Sequence, residues 1–123
     1  MAQAGELLAG PLAGALPVVF AGDVSSAAAG SGFATPSYGM LIGDGLTDAW
    51  EAARPDTDGF TCCRAPGLAE RESSLDVRLD VVLFRGDFAV VGARVVGDEP
   101  RSIAGAVRWP SDHAGLLVRL ELP

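Results

Sequence analysis

His113 is the only histidine among 123 residues, so any imidazole chemistry in this chain happens there or nowhere. It sits in Trp109-Pro110-Ser111-Asp112-His113-Ala114-Gly115, ahead of an alternating apolar run. That context is a loop emptying into a strand, where a sheet aims side chains that stay open to a ligand. An imidazole beside a carboxylate can bind a phosphate oxygen, move a proton or help hold a metal. A turn-capping Asp followed by a loop His gives the same local sequence. Asp23 follows the apolar run Val18-Val19-Phe20-Ala21 and Gly22, which displays it at a strand's carboxyl edge, although a turn-forming Asp after glycine reads alike. Asp80 lies inside Leu79-Asp80-Val81-Val82-Leu83-Phe84. A buried, unpaired carboxylate there is strongly disfavoured, so Asp80 needs a partner or a place at the strand mouth. Three carboxylates and one imidazole at strand ends suit metal-assisted phosphoester hydrolysis. Hard oxygen ligands hold Mg²⁺ or Ca²⁺, the metal neutralises phosphate, and the imidazole–carboxylate pair moves protons or stabilises the transition state.

The elements that must position these groups follow from periodicity and punctuation. Residues 2–9 read as a short helix with Leu7 and Leu8 on its buried side, ended by Gly10-Pro11. The run from Pro17 to Ala21 is continuous enough for a strand covered on both faces. Thr35-Pro36 has the pattern of an N-cap and a first-turn proline, opening a helix to about Ile42. Thr47 is placed to cap a second short helix, Asp48 to Ala53, with Trp50 packed on the sheet. The polar stretch from Asp56 to Ser74 has no period, and reads equally as a substrate-facing loop or a mobile one. Arg78 to Arg85 reads as a buried strand. A Gly86-Asp87 turn and a returning strand from Phe88 to Val96 would complete a hairpin. Gly97 to Arg108 reads as loop. Leu116, Val118, Leu120 and Leu122 alternate with Leu117, Arg119 and Glu121 in a last strand with one buried face.

Composition narrows the function classes. The formal net charge is −7, with seven acids and one arginine in residues 1–62 (−6) and nine acids and eight arginines in residues 63–123 (−1). A bulk electrostatic grip on nucleic acid is therefore not advertised, whereas a phosphoester screened by a divalent cation remains accessible. Cys62 and Cys63 are adjacent and make no CxxC pair, so two free thiols are expected. The early apolar stretch is broken by Gly10, Pro11, Gly14 and Pro17, which argues against a membrane span. No signal peptide is legible, and the localisation stays unknown, with the cytoplasm as the default expectation.

Three of these stretches resemble the motifs of one family, in its order. Pro17 to Ser26 resembles the "GDxN" strand and turn of the endonuclease/exonuclease/phosphatase superfamily. Arg78-Leu79-Asp80-Val81-Val82-Leu83 is similar to its "RxD(Y/V)(V/L)L" strand, and Trp109 to Gly115 to its closing "(W)PSDH" motif. Pro36-Ser37-Tyr38, Leu46-Thr47-Asp48-Ala49 and Gly59-Phe60-Thr61 fall where the intervening segments do. The resemblance implies an α/β (α+β) fold: half of a four-layer α/β/β/α sandwich, with a mostly antiparallel mixed sheet and short flanking helices. Residues 1–123 would be a single partial domain matching the C-terminal half.

The resemblance also implies roles. Asp23 would contact the attacking water or leaving group near the metal, and Asp112 would bind the metal or support its ligands. His113 would hydrogen-bond the scissile phosphate, with Asp80 orienting its ring; Asp23 and His113 both remain candidates for general base. The cofactor implied is Mg²⁺ (or Mn²⁺ or Ca²⁺), and the substrate a phosphoester of open class. Two departures follow. Ser25 stands where the family has its phosphate-binding asparagine, and a hydroxyl lacks the amide's two donors. The first-half asparagine and glutamate that bind metal have no counterpart. The isolated chain is therefore expected to be a weak or inactive phosphodiesterase, nuclease or phosphatase. The alternative is an inactive remnant or interaction module. Its uncovered sheet, with Val18, Phe20, Val82, Phe84, Leu116 and Val118 as candidates, would seek a first-half polypeptide or a second copy.

Overall fold

The computed structural model describes residues 2–28, 36–70, 72–103 and 105–122. Among these the elements run α1 (Ala2–Ala9), β1 (Val18–Asp23), α2 (Pro36–Gly43), β2 (Thr47–Asp48), α3 (Ala49–Ala53), β3 (Asp80–Arg85), β4 (Ala89–Val96), β5 (Arg101–Ile103), β6 (Ala106–Arg108) and β7 (Gly115–Glu121). The fold is α+β with antiparallel pairing throughout these strands, as expected. Thr35, the expected cap of α2, lies outside the described residues.

β3 organises the first sheet, which runs β1-β3-β2. Side chains alternate across a strand, so Val81 and Leu83 fall on one face of β3. There they form a buried cluster with Leu12, Leu41 and Leu46, against which Phe20 and α1's Leu7 and Leu8 pack. β1 departs from expectation here. It is covered on one face rather than two: Val18 and Phe20 are half-buried, whereas Val19 is 47% exposed. The helices pack on the Phe20 side, and nothing described fully covers the other.

The expected hairpin of β3 and β4 does not form. Both edges of β3 are taken, by β1 and β2, so the chain leaves the sheet after Gly86-Asp87 and β4 pairs with β7 instead. Gly86 permits this exit. Its φ is +122°, and a Cβ there would come within 2.9 Å of Pro17, so only glycine passes under that ring. Phe88 then packs edge-on against Phe84, with ring centroids 5.8 Å apart.

Other expectations are corrected locally. Asp48, not Thr47, caps α3: its carboxylate accepts the Trp50 N–H at 2.8 Å, while Thr47 pairs with Phe84 in the sheet. An anionic cap also suits the helix's positive end. Gly97 to Arg108 is not all loop, because Arg101↔Arg108 and Ser102↔Val107 pair in a short ladder beside Gly105 at φ +80°. Leu122 lies past β7 and is exposed, so the buried face of that strand stops at Leu120. Asp56 to Ser74 contains Thr61, Cys62 and Arg64, all buried, and is no mobile surface loop there.

Cys62 and Cys63 form a disulfide with each other, not the two free thiols expected. The backbone on both sides is tied down. Cys62 bridges Val77, and the Arg64 N–H donates to Asp112 O at 2.9 Å, which confines both sulfurs to one place. The uncovered apolar residues also differ from those expected. Val18 and Phe20 face the helices, Phe84 is buried, and Val82, Leu116 and Val118 are half-buried. The exposed ones include Val19, Val91 and Leu117. No helix among the described residues is long and apolar enough to cross a membrane.

Candidate active site

The mouth of the first sheet is built where β1 ends and β3 begins. Asp23 and Asp80 stand directly opposite one another there. Like charges facing across an antiparallel pair repel, so each needs compensation. Asp80 finds it in His113, whose Nδ1 lies 2.9 Å from Asp80 Oδ2. Asp23 finds it locally: its Oδ1 accepts the Ser25 N–H at 2.7 Å and lies 3.4 Å from the Ser25 hydroxyl. This turn holds Ser25 at φ +45°, a left-handed conformation that asparagine adopts more readily than serine. The exposed serine hydroxyl thus sits beside Asp23 at the mouth of the sheet.

Two residues that sequence reasoning passed over fix this geometry. Thr61 Oγ1 accepts the N–H groups of Leu79 at 3.2 Å and Asp80 at 3.1 Å, and its carbonyl accepts the Ala114 N–H at 2.7 Å. One buried threonine thereby ties the start of β3 to the residue after His113. Arg64, also buried, donates from Nη1 to the carbonyls of Ser111 (2.9 Å) and His113 (3.0 Å), and from Nη2 to Gly97 O at 3.1 Å. Its guanidinium lies 4.1 Å from the Trp109 ring centroid, a stack that suits the planar cation. Thr61 had a signal, since Gly59-Phe60-Thr61 falls on a family segment. Arg64 had none beyond being one arginine among many.

A third group gathers around Arg78, to which the sequence assigned no role. Arg78, wholly buried, donates to Asp48 Oδ2 at 2.7 Å, pairs with Glu51, and reaches Asp58 O at 3.2 Å. Asp48 also accepts the Tyr38 hydroxyl at 2.8 Å. Burial, then that hydrogen bond, pushes the Tyr38 phenol above its ordinary pKa, so it stays a neutral donor. The "RxD" motif thus has two separate jobs: Arg78 anchors α2 and α3, and Asp80 faces the site.

The Asp80 hydrogen bond raises the His113 pKa above its ordinary value. Partial burial opposes the rise, and the charges of Asp80, Asp23 and Asp112 add to it. A carboxylate only accepts, so the proton between ring and carboxylate belongs to Nδ1. The stabilisation from this pair is fully present below the unfolded imidazole value of 6.5, and is lost as pH rises through the higher folded value. Asp80→Asn should return the His113 titration toward the ordinary range. The single imidazole makes this a one-signal proton NMR measurement, and an unchanged midpoint would show that Asp80 does not hold the ring.

Asp23 and Asp112, the expected metal ligands, both stand near His113, whose pKa their charges help to raise. Asp112 is exposed, with its Oδ1 accepting from the Ser111 hydroxyl at 3.2 Å. Among the described residues, the group of three or more Asp, Glu, His or Cys donors within 4.8 Å of one another is Cys62, Cys63 and His113. Asp23, Asp80 and Asp112 do not close into such a group. Each is a hard oxygen ligand of the right kind for Mg²⁺, but together they make no complete oxygen shell.

No family model and no curated protein matches the sequence. Solved structures do match. An endonuclease/exonuclease/phosphatase family protein from Leptotrichia buccalis aligns with TM-score 0.61 and 21% identity, over 89% of this chain and 38% of its own. One from Bacteroides thetaiotaomicron gives 0.63 and 23%, over 97% and 41%. A mannosyl-6-phosphatase of the same organism gives 0.65 and 23%, over 98% and 42%. The chain thus spans less than half the length of these three structures. Over that span, 38–42% of each neighbour, it has the fold of the endonuclease/exonuclease/phosphatase proteins.

Proposed function

We propose that this chain carries the phosphate-facing part of a metal-dependent phosphoester hydrolase, completed by groups outside the described residues. The observation that supports it is the 2.9 Å contact of His113 with Asp80, directly across the sheet from Asp23. With its pKa raised, His113 stays protonated further toward neutral pH, and its Nε2–H is the group to donate to a phosphoryl oxygen. Asp80 orients the ring. Asp23, exposed and opposite, is then the proton acceptor for an attacking water. A divalent metal such as Mg²⁺, with Asp23 or Asp112 among its ligands, would supply charge neutralisation at the phosphate. The remaining donors come from outside the described residues.

The isolated chain is the protein to test. Inorganic phosphate with Mg²⁺ should move the His113 imidazole signals, while hydrolysis of a bis-aryl phosphate stays near the blank. A phosphomonoester belongs beside it, since one structural neighbour is named a mannosyl-6-phosphatase. Imidazole signals unmoved by phosphate and Mg²⁺ would defeat the phosphate-site reading.

A further inference from the structure

We propose that Cys62 and Cys63, once their disulfide is reduced, form with His113 a site for a soft divalent metal ion of the Zn²⁺ class. The donor atoms of these three side chains lie within 4.8 Å of one another. A tetrahedral Zn²⁺ with bonds of about 2.3 Å to sulfur and about 2.0–2.1 Å to nitrogen keeps its donors roughly 3.5–3.8 Å apart. Once reduction frees the two sulfurs to separate, side-chain rotation can bring them and the imidazole to that spacing around an ion. Thiolate is a soft ligand and imidazole suits zinc, whereas Mg²⁺ and Ca²⁺ prefer oxygen.

His113 is already prepared for this role. Asp80 occupies Nδ1 at 2.9 Å, which leaves Nε2 as the ligand atom, and a carboxylate behind a histidine orients the ring and raises its basicity. Cys62 is buried and Cys63 exposed, so the site is anchored on one side and reachable from solvent on the other. Water can take the fourth position.

The chemistry balances in two steps. A dithiol reductant delivers two electrons and two protons to the Cys62–Cys63 bond, leaving two thiols and becoming a disulfide itself. Metal binding then releases both thiol protons, and the Nε2 proton where His113 is charged. An ion held here withdraws His113 from phosphate. That consequence rests on the hydrolase reading, but the metal site does not.

The test is a Co²⁺ titration of the whole chain after phosphine reduction, without oxygen. About one equivalent should bind, with thiolate-to-cobalt charge-transfer absorption and the visible bands of a tetrahedral ion. The oxidised chain should show neither. Cys63→Ser, at an exposed position, should remove the charge-transfer band expected of the pair, and Asp80→Asn should weaken binding by about 10–100-fold. A reduced wild type without charge transfer overturns the proposal, and so does His113→Gln with unaltered affinity and spectrum. Asp23→Asn leaves the cobalt spectrum intact whatever it does to phosphate binding, so the two readings fail separately.

Discussion

Arg78→Ala is expected to lose about 3–5 kcal/mol of folding stability, the range for removing one partner of a buried ion pair. Arg78 is wholly buried and Asp48 nearly so. The guanidinium bridges Asp48 and Glu51, so its removal leaves the Asp48 carboxylate in the interior with only the Tyr38 hydroxyl and the Trp50 N–H. Most of the loss is that orphaned charge rather than the attraction itself. Domains are stable by about 5–15 kcal/mol, so the variant spends a large part of the margin. Urea unfolding measures it. Adding Asp48→Asn to Arg78→Ala should recover part of the loss, because the charge left behind is gone. Arg78→Lys should fall between, since an ammonium cannot fork to two carboxylates and a carbonyl. A loss under about 1 kcal/mol in Arg78→Ala would put this pair with exposed salt bridges and refute its anchoring role.

The isolated chain is also expected to associate at micromolar concentration. Val19 on β1 and Leu117 on β7 are nearly half exposed, and these two strands end the order of their sheets. An unpaired edge beside exposed apolar side chains is a template for another strand. The expected occupant is a polypeptide supplying the rest of the fold or, in its absence, a second copy of this chain. Sedimentation should find a dimer or larger species, and Val19→Asp with Leu117→Asp should weaken association at least about tenfold. A compact monomer that unfolds cooperatively, indifferent to both substitutions, would sink the reading.

By itself the sequence determined the groups that had to meet. A carboxylate inside an apolar strand demands a partner, and with no lysine and one histidine, Asp80 and His113 could be paired on resemblance and charge before any coordinates. It also determined α1, whose bounds follow from Gly10-Pro11, and the strand character of β3 and β7, because local periodicity sets which residues alternate. Tertiary structure decided everything that depends on an occupied edge or a distant acceptor. β4 leaves β3 because β1 and β2 already hold both its edges, which no turn residue at Gly86-Asp87 reveals. Arg64 matters because three carbonyls from Gly97, Ser111 and His113 converge on it. Backbone carbonyls are the same in every sequence, so nothing in the chain marks where they converge. The sulfurs of Cys62 and Cys63 meet the His113 ring for the same reason. Backbone hydrogen bonds to Val77 and from Ala114 to Thr61 bring residues some fifty apart together, and such closures exist only once the sheets are assembled.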